Sequence, residues 1–260
     1  MSDEKDLKDN VKKVLNDEYA AKINFHFGGL HISGDGLGDV AYAIEKGDIK
    51  VVEDPGLPKE IRGRYNPITD TMAFRKAKFG DEVFDATVVH EAVHAFIDMT
   101  KATQTRRLAD EAAAFLAEAI YLYRRVGDLR FKHNVNVRLQ SGDRKEQESG
   151  HVYKACLELI AGSKLMELTK ERPTVQLPPL LYQHLLQAVK GTEAYKNIGW
   201  DEKTHADGLE ARSMERARPR GGGSISRATG FRKAGPVGLT DSQESSGGRS
   251  SRKPGPTGMA

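Results

Sequence analysis

The sequence predicts an α+β fold, on the basis of three observations. Segments with the composition of short strands occur between residues 49 and 76. Apolar residues at helical spacing dominate most of the chain on either side of that region. Hydrophobic residues make up only 38% of the chain, below the usual globular level, which indicates that part of it lies outside any core. We therefore expect a few short strands between helical segments, and an unstructured C-terminal end.

The last fifty residues differ from the rest of the chain in charge and composition. Residues 211–260 contain ten Lys or Arg and three Asp or Glu, a net charge of +7, whereas residues 1–210 carry −4. The same segment holds ten Gly and eight Ser, so it cannot bury enough apolar surface to offset its ordering entropy. We predict a folded domain over residues 1–210 and a disordered basic tail over residues 211–260.

The first elements follow from apolar spacing and from the positions of glycine and proline. An imperfect apolar stripe predicts a helix from Leu7 to Ile23. Asn24 to Asp39 is rich in glycine. The spacing of Gly34, Gly36 and Gly38 matches neither a dinucleotide fingerprint nor a P-loop, so we interpret these three glycines as a flexible turn. A short helix is expected from Val40 to Lys46, and a strand from Ile49 to Glu53 is ended by Pro55.

The central region is typical of a strand pair followed by two long helices. Ile61 to Tyr65 and Thr71 to Lys76 are predicted strands around a turn. Helical spacing then predicts helices from Asp81 to Thr100 and from Gln104 to Arg125, and the short connection between them favours antiparallel packing. The remaining predictions are an irregular polar segment from Arg130 to Gly150 and helices near His151 to Leu168 and Pro178 to Lys190.

One segment of the first long helix carries recognisable chemistry. His90 and His94 are four residues apart, so both imidazoles lie on the same face of a helix and can point at one cation. Glu91 is adjacent to the first histidine, where its carboxylate can reach a metal-bound water. This is the HExxH pattern of zinc hydrolases. The alternative is an ordinary pair of hydrogen-bonded histidines, which the apolar flanks disfavour because unpartnered polar groups there would be costly to bury.

The second long helix is expected to supply a third ligand. His94 lies about 10 Å before the end of its helix at 1.5 Å per residue, and a similar distance along the returning helix reaches Glu111. Glu118 lies two turns further on, near the level of His90, and is a candidate to orient its imidazole. Asp98 is a rival ligand, but three ligands along one straight helix converge poorly. We therefore place Asp98 at the surface or in an outer role.

These residues resemble a known family. His90-Glu91-Ala92-Val93-His94, followed by Glu111 in the next helix, resembles the gluzincin metallopeptidases, in particular their small minimal forms. The resemblance covers Lys50 to Arg125, about a third of the chain. It implies a zincin-like α+β fold, with a small twisted sheet packed on the HExxH helix and a mostly helical C-terminal half. It also implies a Zn²⁺ cofactor held by the two histidines and Glu111, and Glu91 as catalytic base. The family's transition-state stabiliser, a downstream His or Tyr, has three candidates, which are Tyr121, His133 and His151.

The implied activity is hydrolysis of peptide bonds in a peptide or protein substrate by a zinc-activated water. An extended peptide is expected to add to the strand Thr71 to Lys76, which this prediction places at the edge of the sheet. A second hypothesis is a zincin-like binding or sensor module without turnover. A third gives the main role to the basic tail, which would contact nucleic acid or an anionic partner, although Phe231 is its only aromatic residue and base stacking needs several. Nucleic acid is therefore not our favoured partner.

The composition also bears on location. Cys156 is the only cysteine, which excludes an intrachain disulfide and a thiolate metal cluster. The first ten residues lack the apolar segment of a secretory signal, and no run of eighteen apolar residues is present. We therefore expect a cytoplasmic protein with no membrane partner.

Overall fold

A computed structural model describes residues 2–59, 61–75, 80–102, 104–163, 175–206 and 208–209. The tail predicted over residues 211–260 lies outside these ranges. Within the described residues the chain folds as α+β, as predicted. The helices are α1 (Ser2–Leu15), α2 (Gly34–Lys46), α3 (Glu82–Met99), α4 (Arg107–Val126), α5 (Asp128–Leu139), α6 (Arg144–Ser163) and α7 (Pro179–Lys190). The strands are β1 (Asn24–Phe27), β2 (Leu30–Ser33), β3 (Lys50–Glu53), β4 (Gly63–Asn66), β5 (Thr71–Phe74) and β6 (Val175–Gln176).

The N-terminal region differs from the prediction. Helix α1 ends at Leu15 rather than Ile23, because the Asp17 carboxylate accepts the backbone N–H groups of Tyr19 and Ala20 and starts a separate 3-10 turn. The flexible turn predicted at Gly34, Gly36 and Gly38 is wrong as well, because all three glycines lie in α2. The Gly-rich stretch from Asn24 to Asp39 forms the β1–β2 hairpin and the start of α2, which Ser33 caps by accepting the backbone N–H of Gly36.

The strands form two three-stranded sheets among the described residues, in the orders β2-β1-β6 and β3-β5-β4. The predicted pairing of the two central strands is confirmed, since β4 and β5 are antiparallel neighbours. However, β5 also pairs with β3 in parallel, so it lies in the centre of its sheet. The expectation that Thr71 to Lys76 forms the exposed edge is therefore wrong. The edge strand on the side of α3 is β4.

The two long central helices occur close to their predicted positions. Asp81 caps α3 by accepting the backbone N–H of Val83, and most residues of α3 are buried. Helix α4 packs against α3 more extensively than any other two described elements pack together. The contacts run in opposite directions along the chain, His90 with Glu118 and His94 with Asp110, so the two helices are antiparallel.

The C-terminal half is more helical than predicted. The segment expected to be irregular, Arg130 to Gly150, contains most of α5 and the start of α6. Helix α5 buries only Phe131 and Val135, and the Phe131 ring makes edge contacts with Tyr123 and Tyr153. Two apolar anchors one turn apart were enough to hold an otherwise polar helix against the core. No helix within the described ranges combines the length and apolarity needed to cross a membrane.

Candidate metal centre

The imidazoles of His90 and His94 lie side by side on the face of α3 that meets α4. Their ring centroids are 5.0 Å apart and the rings are nearly perpendicular. Both side chains are largely buried, at 11% and 16% exposed, so little solvent separates them from the neighbouring helix. The helical spacing of four residues therefore produces the arrangement that the sequence predicts.

Glu111 of α4 faces both rings. Its Oε2 atom lies 3.8 Å from His90 Nε2 and 3.6 Å from His94 Nε2. One ligand atom from each of the three residues lies within 4.8 Å of the others. In the part of the chain that the structure describes, no other three His, Cys, Asp or Glu side chains converge in this way. The cluster is thus a site that could hold a metal ion.

The outer contacts orient both imidazoles for metal binding. His90 Nδ1 lies 3.0 Å from Glu118 Oε2, and His94 Nδ1 lies 2.7 Å from Asp110 Oδ1. A carboxylate only accepts, so each Nδ1–H donates and each Nε2 is left as the ligand atom facing Glu111. Carboxylate–histidine–metal chains of this kind are characteristic of protein zinc sites. The donor set of two imidazoles and one carboxylate also fits a catalytic zinc, which keeps a further position for water.

Positive charge on the two imidazoles offsets part of the acidic charge of the cluster when no cation is bound. Burial by itself lowers the pKa of His94, but the carboxylates of Asp110 and Glu111 outweigh it and raise this pKa to about 9. Burial opposes ionisation of Glu111, yet the two imidazoles hold its pKa at about 2. Protons on the imidazoles thus supply the positive charge that Glu111 faces. A divalent cation would take over that role by displacing them.

Glu91 lies on the neighbouring face of the same turn, only 6% exposed, and is fixed by the edge strand. Its Oε2 accepts the backbone N–H of Tyr65 in β4 at 2.7 Å. Burial raises the pKa of Glu91 above its ordinary value. The strand can approach this closely because residue 63 is glycine, where a Cβ atom would lie 2.8 Å from Thr87 Cγ2 and 3.0 Å from Glu91 Cγ.

Further hydrogen bonds to the cluster come from residues that the sequence reasoning missed. Tyr153 of α6 donates to Glu118 at 2.5 Å, Tyr195 donates to Glu111 at 2.8 Å, and Thr204 donates to Asp110 at 2.5 Å. These donors lie 35, 84 and 94 residues from their partners in the chain. No local spacing rule reaches that far. The sequence therefore carried no signal for these three hydroxyls, because it does not show which acceptor each of them reaches.

The structure places the other candidates away from this cluster. The hydroxyl of Tyr121 donates to Asp17 at 2.7 Å, and His133 and His151 are exposed on α5 and α6. Asp98, expected at the surface or in an outer role, is 1% exposed and accepts the Tyr65 hydroxyl at 2.7 Å. It therefore ties β4 to α3 one turn beyond His94.

Comparison with known proteins adds no relative. A scan against protein-family models, a search of curated proteins and a search of solved structures each found no match. The resemblance to gluzincins therefore remains a hypothesis that rests on the residues themselves. The class of site that the geometry defines is a candidate metal centre with two histidines and one glutamate.

Proposed function

We propose that this protein is a zinc-dependent hydrolase, and that the bonds it cleaves are peptide bonds. The observation that carries the proposal is the convergence of His90, His94 and Glu111, with both histidine Nδ1 atoms held by carboxylates. The α+β architecture, in which the edge strand β4 lies against the HExxH helix and the next helix carries Glu111, supports a zincin-like fold of the gluzincin type.

In this proposal His90, His94 and Glu111 hold zinc. Bound zinc supplies Lewis acidity, which lowers the pKa of a coordinated water toward about 7 and polarises a carbonyl. Glu118 and Asp110 keep the two imidazoles in the tautomer that presents Nε2. The acidic shell also stabilises the positive charge that the cluster gains when a divalent cation binds.

Glu91 is the proposed general base. Its burial raises its pKa, and a base whose pKa is nearer to neutral transfers protons more efficiently at neutral pH. The Tyr65 N–H fixes the direction of the carboxylate, so the base does not have to find its orientation during the reaction. Glu91 would take a proton from the attacking water and deliver it to the leaving nitrogen.

Tyr195 is the proposed stabiliser of the charge that develops on the substrate carbonyl oxygen. Its hydroxyl is the phenolic donor that contacts Glu111, at 2.8 Å from Oε2. Glu111 would bind the metal in the zinc-loaded protein, and the Tyr195 hydroxyl would then turn its single proton to the carbonyl oxygen. An O–H donor placed there lowers the barrier for attack on an amide. Tyr195 thereby takes the place of the three candidates considered from the sequence.

The substrate is proposed to bind along β4 rather than β5. Arg75 N donates to Arg62 O, so in this antiparallel pair the alternate residues 64 and 66 also direct their backbone groups toward β5. The backbone groups of Gly63 and Tyr65 therefore point away from β5, and the Tyr65 N–H indeed reaches Glu91. Because Glu91 occupies the Tyr65 N–H, an extended peptide added to this edge would use the backbone groups of Gly63 and the Tyr65 carbonyl, and it would run beside the catalytic base.

The test is Glu91→Gln, which keeps the size of the side chain but removes the basic carboxylate. We expect zinc content to remain at about one ion per chain, while hydrolysis of a peptide selected from a library by mass spectrometry falls by about 10²–10⁴-fold. Glu82→Gln is the matched control, since Glu82 is on the same helix but pairs with Arg130. It should leave the rate unchanged.

Equal cleavage by wild-type protein and by zinc-loaded Glu91→Gln would show that Glu91 is not the base. If both bind zinc and neither cleaves any peptide, the alternative of a zinc-binding sensor module replaces the hydrolase.

A further inference from the structure

The segment that follows α7 is held against the start of α4. We call its described residues, 192–206 and 208–209, the C-terminal strap. Its backbone is anchored at two places, where Glu202 O accepts the N–H of Arg107 at 2.7 Å and Thr204 N donates to Thr105 O at 3.0 Å. Ile198, Ala206 and Leu209 are buried, although the strap contains no helix or strand longer than a single bridge within its described residues. The strap is therefore docked by both polar and apolar contacts.

Three hydrogen-bond donors of the strap reach three carboxylates of α3 and α4. The Tyr195 hydroxyl donates to Glu111 and the Thr204 hydroxyl donates to Asp110. The backbone N–H of Gly208 donates to Asp98 Oδ1 at 2.9 Å. Glu111 and Asp110 belong to the candidate metal centre, whereas Asp98 lies one turn of α3 beyond His94. A segment remote in sequence therefore supplies two of the outer hydrogen bonds of the centre.

Thr204 reaches the metal ligand His94 through the carboxylate of Asp110. Asp110 uses both carboxylate oxygens, Oδ1 for His94 Nδ1 at 2.7 Å and Oδ2 for the Thr204 hydroxyl at 2.5 Å. Its side chain is only 8% exposed, so water does not readily replace either partner. Because both oxygens are engaged, the carboxylate cannot rotate without breaking a hydrogen bond. The fixed carboxylate in turn holds the orientation of the His94 ring.

We propose that the C-terminal strap is part of the metal centre, and that Thr204 is a positioning residue that sets metal affinity through Asp110 and His94. The inference rests on the proposed zinc site and extends it, because it makes zinc retention depend on the docking of a segment beyond α7. Loss of an outer partner of a metal ligand typically costs about 10–100-fold in affinity. Thr204 bonds to the outer partner Asp110 rather than to the ligand His94 itself, so we expect an effect near the lower end of that range.

The experiment measures zinc affinity in the full-length chain by competition with a chromogenic chelator. Thr204→Val keeps the shape of the side chain but removes the hydroxyl, and it should weaken zinc binding by about 10-fold. Thr204→Ser retains the hydroxyl and should restore near-wild-type affinity. The absorption bands of the Co²⁺-substituted protein should shift in Thr204→Val and return in Thr204→Ser, because they report the ligand geometry directly.

Thr192→Val is the matched control. Thr192 is a buried strap residue whose hydroxyl donates to the backbone oxygen of Val189, away from the metal cluster. It should lower thermal stability about as much as Thr204→Val while leaving zinc affinity and the Co²⁺ spectrum unchanged.

The possible outcomes separate this inference from the proposed function. Wild-type affinity in Thr204→Val, or an equal loss in Thr192→Val, would overturn the role of the strap while the zinc site stands. Absence of zinc binding by the wild-type protein would instead refute the zinc site on which both depend.

Discussion

Two pairs of histidines in this molecule bring their imidazoles together but have very different surroundings. His90 and His94 are four residues apart on a buried helix, and their Nε2 atoms face Glu111. His26 and His31 are opposite each other on the β1–β2 hairpin, exposed, with their rings stacked at 4.6 Å. Both pairs bring two imidazoles together, and the distances between ring centroids differ by less than an ångström.

The difference lies in what surrounds each pair. In the helical pair each Nδ1 is bonded to a buried carboxylate, and a third carboxylate faces both Nε2 atoms. In the hairpin pair, His31 Nε2 contacts the amide oxygen of Asn24, and stacked rings present faces rather than nitrogen atoms to each other. Proximity of two histidines is therefore a weak indicator of a metal site, whereas buried acidic partners on the far side of each ring are a strong one.

The most direct test of this comparison is zinc occupancy, measured by elemental analysis after dialysis. Loss of an outer partner typically lowers metal affinity by about 10–100-fold. His90→Ala, His94→Ala and Glu111→Ala each remove a direct ligand, so each should lower zinc affinity further and leave the dialysed protein without zinc. The matched variants His26→Ala and His31→Ala should retain about one zinc per chain. Full occupancy in Glu111→Ala would move the third ligand elsewhere, and zinc loss in the hairpin variants would reverse the comparison.

Smaller effects are expected from substituting two glycines, Gly63 beside the HExxH helix and Gly29 in the turn of the β1–β2 hairpin. Gly63→Ala places a Cβ against Thr87 and Glu91, so β4 must move away from α3. Because misplacement by about 1 Å costs about 10²-fold, a shift of a few tenths should lower peptide hydrolysis by about 10-fold with zinc retained. Gly29→Ala strains the hairpin turn, where φ is +86°, and should cost stability of about 1 kcal/mol.

The hairpin variant should leave the rate of hydrolysis unchanged. Steady-state kinetics measures the lower rate expected for Gly63→Ala, and parallel thermal melts measure the lower stability expected for Gly29→Ala. A Gly63→Ala variant with full activity would show that the Tyr65 N–H does not need its present position.

The smallest effect concerns protonation in the metal-free protein. The pKa of His94, raised to about 9 by Asp110 and Glu111 against the effect of burial, should exceed that of His31, which burial and His26 lower below 6.5. Side-chain NMR titration of chelator-treated protein measures both. The raised pKa of His94 stabilises the fold fully below pH 6.5, and this contribution is lost as the pH rises through about 9. Similar titration midpoints for His94 and His31 would show that the two histidine pairs do not differ in their electrostatic surroundings.

Much of the candidate centre was accessible from the sequence because it depends on helix geometry. A rise of 1.5 Å per residue and a turn of 3.6 residues place His90 and His94 on one face, and they bring Glu111 and Glu118 to matching heights on the returning helix. The structure has all four residues together. Local periodicity is a property of the chain itself, so it can be read without knowing the partners of the helix.

Three other features depended on contacts between distant segments. The parallel pairing of β3 with β5 moved the expected edge to β4, since hydrogen bonding between strands is not encoded within either one. Helix α5 formed in a polar segment, where the Phe131 ring contacts Tyr123 of α4 and Tyr153 of α6. The hydroxyls of Tyr195 and Thr204 reached Glu111 and Asp110 only after the chain returned past α7.

The sequence by itself thus determined which helix carries the two histidines and how far along the next helix Glu111 and Glu118 lie. Both follow from the regular rise and turn of the α-helix. The tertiary structure alone decided which strand borders the site and which residues hold its acidic groups. Those choices are made by burial and by hydrogen-bond satisfaction. Both are energies shared between segments far apart in the chain, so neither segment reveals them alone.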